Sequence, residues 1–509
     1  MPQLSLTMIV KDEGKYLGDC LESVKDIADE IIIVDTGSTD DTIEIAKNYG
    51  AKIFNFEWAN DFSLARNYAL SQATGDWILY LDADERLDAR SKSELKKLVS
   101  SNQRIGYYCT VLSLDRDSGR DNSIRYVRLF ANYHGIYFSG KVHEQIEPSL
   151  IYNGYTLIQS RILIHHIGYN VTKELKQAKA KRNLFLLLEE YENNKSPYVA
   201  FQLAMTYNVL EDEDNAGEYF KIASESGKLD RYYRAQCCST LALYAFKNHK
   251  IVDAEKLAHY AIKIDDKQPF AQLLASKIAL RKGELGNAEE RCKRAYVLNQ
   301  YMLYNGESFA LAVVLDPEEV IYYGLTIALQ NKNSQNIQFY KKELTLFYSK
   351  SNNPEDVQKI NTVERLFSNS NLLPNEVNPI VKMINKNNLT FFINMLSSNP
   401  AKQTVLVITE HLLKIFNNSH DVLKLYARML ESVGQVDDAV TILEKIAEEN
   451  DDDPAVFFYL VSFYLKQGQE TKIKPIIVKM EKNFAGIPDV MTRVRTLKRK
   501  LLMLTSIPL

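Results

Sequence analysis

The chain has 509 residues, of which 46% are apolar and 25% charged, so it is globular and long enough for about two to four domains. A formal net charge of −3 excludes the strongly basic surface of a nucleic-acid or anionic-membrane binder. The five cysteines (Cys20, Cys109, Cys237, Cys238 and Cys292) have no zinc spacing, no basic leader precedes the first apolar run, and no stretch approaches the ~18 apolar residues of a membrane span; a reduced, cytoplasmic chain is expected.

In chain order, residues 4–10 read as a strand and 15–24 as a helix with Leu17, Leu21 and Val24 on one face. A second strand over 30–34 runs into Asp35-Thr36-Gly37-Ser38-Thr39-Asp40, where Ser38 or Thr39 can cap the helix that carries Ile43 and Ala46 and ends near Gly50. A third strand over 51–56 precedes a helix over 61–72, for which Asp61 and Ser63 are candidate caps. A fourth strand, 77–81, ends in Asp82-Ala83-Asp84. Four strands separated by helices predict parallel pairing. Residues 106–114 and 124–130 alternate and are rich in Tyr and Val, predicting an antiparallel hairpin with its turn at Asp117-Ser118-Gly119. Residues 136–139 and 156–164 read as further strands, and strand signals end past Asn170.

From about residue 172 the pattern is helical and repetitive. Ala200, Leu203, Ala204, Tyr207, Ala216, Phe220 and Ala223 alternate small and large residues. Leu241, Ala242, Ala254, Ala258 and Ala261 repeat that pattern, and Ala275, Ser276, Ala288, Cys292 and Ala295 follow it at an offset of 34. Leu430 and Gly434 match Tyr464 and Gly468 at the same offset. That is the tetratricopeptide period, in which small residues let paired helices approach closely. The expected organisation is an α/β domain over 1–170, tetratricopeptide-like repeats over 171–300, degenerate helical repeats or a linker region over 301–420, and further repeats over 421–509.

Two apolar strands that each finish in acids describe a nucleotide site at the carboxyl edge of an open α/β sheet. An aspartate pair one residue apart at a strand end can hold Mg²⁺ or Mn²⁺, which share oxygen ligands with substrate phosphates. Asp82 and Asp84 would share a face if the strand stayed regular. Asp35 can accept from a uracil imide or a ribose hydroxyl, and Arg66 can direct its planar fork at a nucleotide or phosphate. No G-x-G-x-x-G follows any strand, which disfavours a Rossmann dehydrogenase, and little of a Gly-rich basic loop follows the first strand, which disfavours a nucleotidyltransferase.

Taken together, Met8-Ile9-Val10-Lys11-Asp12-Glu13, the segment from Glu30 to Asp40, Asn60-Asp61-Phe62-Ser63-Leu64-Ala65-Arg66-Asn67 and Asp82-Ala83-Asp84-Glu85 resemble, in order and spacing, family 2 glycosyltransferases of the GT-A fold. Arg128-Leu129-Phe130, Gly140-Lys141-Val142-His143-Glu144 and His165-His166-Ile167-Gly168-Tyr169 are similar to a subgroup with C-terminal tetratricopeptide repeats, which includes sublancin-type peptide glycosyltransferases. The resemblance implies a mainly parallel α/β sheet followed by an all-α solenoid. It implies a nucleotide-sugar site with Val10, Asp12, Glu13, Asp35, Ser38, Arg66 and Asp82, and a Mn²⁺ or Mg²⁺ ion on Asp84 and Asp82, for which His166 or His165 is the candidate third ligand. An inverting transfer needs one base, and His143 and Glu144 are the candidates, with either in the catalytic role. The Glu-Asp dipeptide of the better-known family pattern is absent from the α/β region, as is the Q-x-x-R-W motif of processive synthases, so a single-sugar transfer is favoured.

The expected function is a cytoplasmic, metal-dependent, inverting glycosyltransferase that uses a UDP-sugar and a peptide or protein acceptor held partly by the repeats, which can also self-associate. The alternatives are transfer to a cell-surface glycan precursor, or a repeat scaffold with a vestigial α/β domain.

Overall fold

The computed structural model describes residues 2–99, 103–113, 122–167, 173–304, 311–349, 354–417, 419–449, 453–485 and 488–504. β1 (Leu4–Val10) lies between β2 (Glu30–Asp35) and β4 (Trp77–Tyr80) and is parallel to both; β3 (Lys52–Asn55) extends the parallel set beyond β2. β2 and β4 are near-continuous apolar, buried runs, as expected where helices cover both faces. Alternation along β2 divides its side chains. Ile31 and Ile33 join the core that contains Leu17, Cys20, Leu21 and Val24 of α1 (Gly14–Val24). Ile32 and Val34 pack on the other face with Ala69 of α3 (Phe62–Gln72). The short α2 (Thr42–Asn48) links β2 to β3.

β5 (Glu85–Leu87), β6 (Ile105–Ser113), β7 (Asn122–Ala131) and β8 (Thr156–His166) complete the order β3-β2-β1-β4-β7-β6-β8-β5. The sheet here becomes mixed: β4–β7, β7–β6 and β8–β5 pair antiparallel, and β6–β8 pair parallel. β6 and β7 are the expected antiparallel pair; the turn expected at 117–119 lies outside the described residues. Four sequence expectations need correction. Residues 136–139 form no strand but end in a single bridge, Ser139 to Gln145, because the segment closes a loop and has no neighbouring strand to pair with. Neither Ser38 nor Thr39 caps α2; Asp41 holds that position without a side-chain bond, and both hydroxyl residues bond to Asp12 instead. The strand from Trp77 stops at Tyr80, so Asp82 and Asp84 stand in a turn and strand alternation does not place them on one face. Strands do not end at 170: β9 (Leu311–Val313) pairs antiparallel with Asn122–Ile124 of β7. The sequence pattern also passed over β5, α4 (Lys92–Leu98) and α5 (Glu147–Tyr152), which are too short for a period to show.

Helices follow from Lys173. α6 (Lys173–Asn193) leads into three helix pairs: α7 (Pro197–Val209) with α8 (Glu213–Glu225), α9 (Arg231–Lys247) with α10 (Ile251–Ile264), and α11 (Pro269–Arg281) with α12 (Leu285–Tyr304). The small residues at the 34-residue offset are buried where these helices meet, Ala254, Ala258, Ala261, Ala288, Cys292 and Ala295 among them. The chain forms two compact units, Met1–Val320 and Ile321–Leu509. The second is helical. It contains the helix pair His420–Ser432 and Val436–Glu449, then the helices Pro454–Lys466 and Ile473–Asn483, whose cores include Ala427, Ala439, Leu443 and Tyr464. At its start Gly324 of α13 (Pro317–Gln330) lies against the buried Tyr340 of α14 (Ser334–Ser349), so closely that a Cβ there would meet the ring at 2.2 Å.

Candidate active site

The carboxyl ends of β1, β2 and β4 open on one edge of the sheet, where the crevice of an α/β fold forms. The loops after β1 and β2 are tied together. Asp12 donates its backbone N–H to Ser38 Oγ at 2.9 Å and accepts from the Thr39 N–H at 2.7 Å. The Glu13 N–H donates to Thr42 Oγ1 at 2.7 Å and the Gly14 N–H to Asp40 Oδ2 at 3.0 Å. Asp12 adopts φ +53°, a left-handed conformation held by these bonds. Asp35 is buried and accepts from the Gly37 and Ser38 N–H groups, closing its own turn. Val10 ends β1 beside it, in register with Asp35.

Behind this shelf is a buried ionic network. Asp61 caps α3 by accepting from the Leu64 N–H, and this helix places Arg66 one turn on. Arg66 donates to Asp82 Oδ1 at 2.6 Å and, through Nε, to Glu144 Oε1, while its guanidinium lies 5.1 Å from the Tyr80 ring centre. Arg128 of β7 donates to Glu85 Oε1 at 2.6 Å, lies 3.5 Å from Asp82 Oδ2, and lies 4.3 Å from the Tyr80 ring centre. Tyr80 is therefore in cation–π contact with both arginines. Burial would raise the Asp82 carboxyl pKa, but Arg66 and Arg128 hold it well below the carboxylate range. For Glu85, burial prevails over Arg128 and, with Asp82 adding to it, raises the pKa to about 7.

Asp84 faces the end of β8. His166 Nε2 lies 3.2 Å from Asp84 Oδ2, and its Nδ1 lies 3.1 Å from Ser113 Oγ. Burial lowers the His166 pKa, and the Asp84, Glu85 and Asp82 carboxylates more than offset it, raising it. His165 instead pairs with Asp88 at 2.9 Å and points away from the aspartate pair. Glu13 is pushed up to about 7, first by burial and then by the charges of Asp84 and Asp82, against the pull of Lys179 from α6. Asp82, Glu85 and Glu144 thus pair with two guanidiniums, Arg66 and Arg128, and Glu13 and Asp84 add negative charge beside them. Among the described residues no three His, Cys, Asp or Glu side chains form a ready metal cage. Asp84 and His166 remain together as an O,N donor pair next to surplus negative charge. A magnesium or manganese site often takes only one or two protein carboxylates and completes its shell with water and substrate phosphates, so this donor set fits such an ion.

His143 and Glu144 stand on a loop closed by the Ser139–Gln145 bridge. Glu144 is committed to Arg66 and its side chain is 10% exposed. His143 has φ +56° and an exposed surface; desolvation lowers its pKa, against the pull of the Glu144 charge. The Asp82 side chain is 37% exposed. Arg128, Glu85, Tyr80 and Lys179 belong to this neighbourhood without having been assigned roles from sequence. Arg128-Leu129-Phe130 was a usable signal; a lysine in a repeat-like helix was not.

Residues 5–167 match the family model described as Glycosyl transferase family 2. The N-terminal part of this chain is a glycosyl transferase family 2 domain. Over 188 residues the chain is 41% identical to a TPR repeat-containing protein of Synechococcus elongatus, covering 36% of this chain and 46% of that one. It is 30% identical over 226 residues to the SPbeta prophage-derived glycosyltransferase SunS of Bacillus subtilis, covering 43% and 53%. The chain thus spans about half the length of these curated relatives. Among solved structures, S. aureus TarS 1-349 in complex with UDP-GlcNAc aligns over 59% of this chain and 92% of its own, at 14% identity and a TM-score of 0.29, too low to bear on fold or function. No described helix is long and apolar enough to cross a membrane.

Proposed function

We propose that the protein is an inverting glycosyltransferase that moves one sugar from a UDP-sugar to a peptide or protein acceptor. The observation that carries this reading is the convergence of Arg66, Asp82, Asp84 and Glu13 at one sheet edge inside a glycosyl transferase family 2 domain. The tied loops of Asp12 and Ser38, with Val10 and Asp35, form a shelf for the nucleoside. A carboxylate has about four lone-pair positions, so Asp35 retains acceptor capacity for an imide N–H or ribose hydroxyl after closing its turn. Arg66 is held in place by Asp82 and Glu144, and so keeps its charge in a fixed orientation beside the cleft.

Asp84 and His166 would hold a Mn²⁺ or Mg²⁺ ion, with Asp82 and Glu13 adjoining; when bound, that ion supplies Lewis-acid stabilisation of the departing diphosphate. Of the two base candidates, His143 is the better placed: its surface is exposed and its pKa is lowered, whereas Glu144 is engaged by Arg66. His143 then takes the acceptor proton as the anomeric carbon is attacked, and Glu144 orients Arg66. The paired helices from α7 onward give the acceptor an extended surface of the kind that binds peptide segments.

The test is calorimetric titration of UDP, with GDP as comparator, with and without Mn²⁺, followed by an assay of UDP-sugar turnover with peptide acceptors. Manganese-dependent binding of UDP alone and sugar transfer to peptide are expected. Binding of neither nucleotide would leave a non-catalytic scaffold as the better description.

A further inference from the structure

We propose that Glu190, on the first helix of the helical region, is a positioning residue that clamps the loop carrying His143 and Glu144. The proposal rests on the glycosyltransferase reading of that loop but on different contacts. The Lys141 backbone N–H donates to Glu190 Oε2 at 2.9 Å. That amide lies two residues before His143, whose left-handed φ of +56° must be held by its surroundings. A hydrogen bond from an N–H to a charged carboxylate is stronger than one to a neutral acceptor and fixes the orientation of the peptide plane that enters the loop.

The rest of the loop shows why this contact matters. Its base is closed by two backbone bonds, Ser139 N–H to Gln145 O at 3.0 Å and Gln145 N–H to Ser139 O at 2.9 Å. On one side α3 reaches it, with the Phe62 N–H donating to Lys141 O at 3.0 Å and Arg66 donating to Glu144. On the other side is α6. Val142 packs with Leu186 and Leu187 of that helix, together with Phe62, and Lys141 Nζ lies 2.9 Å from Glu189 at the surface. Gly140 precedes Lys141 at φ +102°, which lets the chain turn toward Glu190. The loop is thus suspended between the helix that presents Arg66 and the helix that opens the repeats. Glu190 is the charged end of that second support. Burial raises its pKa and the Lys141 amide bond opposes that rise, as expected for a carboxyl recruited to a backbone donor inside a packed junction.

It follows that the helical region contributes to the geometry of the candidate base as well as to any acceptor surface. The test compares Glu190→Ala and Glu190→Gln with wild type and with the surface control Glu189→Gln, all in the full chain. Hydrogen exchange at the Lys141 amide reads the clamp without reference to activity. Exchange there should quicken at least about tenfold in Glu190→Ala and less in Glu190→Gln, with Glu189→Gln unchanged. In the transfer assay kcat should fall about tenfold in Glu190→Ala, with partial rescue in Glu190→Gln, an unchanged KM for the UDP-sugar and a displaced pH–rate profile. Unchanged exchange at Lys141 in Glu190→Ala would overturn the clamp. Faster exchange with kcat within twofold of wild type would overturn its catalytic consequence. If wild type turns over no UDP-sugar, the function proposed above falls, while the exchange result still decides whether Glu190 holds the loop.

Discussion

The helical region and the sheet edge both use left-handed backbone, and they hold it by different means. In the helices, Glu211, His249, Gly283, Lys332, Asn369, Gly434 and Gly468 each fall two residues past the end of a helix, where a local C-cap needs a positive φ. Glycine occupies three of the seven positions, and the caps are closed by near-neighbour bonds such as Lys250 N–H to Ala245 O and Gln469 N–H to Tyr464 O. At the sheet edge, Asp12 and His143 are left-handed for no local reason. Asp12 is held by residues 26 and 27 positions away, and His143 lies between the Lys141 amide bound by Glu190 and a carboxylate bound by Arg66. Strain fixed by distant contacts suits a site that must hold its geometry, while strain fixed by the next turn suits a repeat. Burial follows the same division. The repeats bury alanines and aromatics, whereas the sheet edge buries Arg66, Arg128 and Glu85.

The strongest test of that contrast separates activity from stability. Asp84→Ala should lower sugar transfer about 10²–10³-fold or more, yet leave the unfolding free energy within about 0.5 kcal/mol, since Asp84 serves the site and not the core. Transfer at the wild-type rate would remove Asp84 from the site. Arg128→Met should do the reverse in stability. It leaves Glu85 and Asp82 without a shared cation and should cost about 3–5 kcal/mol in denaturant unfolding. Adding Glu85→Gln should recover part of that loss, and a double variant no better than the single one would refute the coupling. In the helical half the sensitive quantity is volume. Gly324→Ala places a methyl where the Tyr340 ring lies and should cost about 1–3 kcal/mol, relieved by Tyr340→Leu.

At the opposite edge of the sheet, Glu30 accepts from Ser5 at 2.5 Å, Lys52 at 2.7 Å and the Thr74 N–H at 2.8 Å. Burial works to raise its pKa, but these partners lower it from 4.5 to about 2. A folded pKa below the unfolded value gives stability that is present above about pH 4.5 and disappears as pH falls toward 2. Glu30→Gln should therefore abolish about 1–2 kcal/mol of acid-sensitive stability, and identical pH profiles for variant and wild type would contradict this. The smallest effect should come from a cap. Lys332→Gly relieves left-handed strain and should stabilise the Ile321–Leu509 unit by about 0.5–1 kcal/mol, measured as a raised denaturation midpoint.

The amino-acid sequence by itself determined the features that depend on near neighbours. Residues 30–34 read as a strand because every side chain is apolar. Asp61 read as a cap because of its place before Phe62, and the repeats showed in alanines spaced 34 apart, because packing between adjacent helices recurs with the chain. The order and spacing of Asp35, Arg66, Asp82 and Asp84 were likewise legible as part of a glycosyl transferase family 2 pattern, matched over residues 5–167. Only the tertiary structure decided how these groups divide their work. It turned Asp82 toward Arg66 and Arg128, left Asp84 to His166, sent His165 to Asp88 and gave Glu144 to Arg66. It also brought β9 back to β7 and set Glu190 against Lys141, across separations of 191 and 49 residues for Val313 with Asn122 and for the clamp. Short motifs do not encode such pairings, because a charge chooses its partner by where the fold places it, and three elements far apart in sequence meet at this edge.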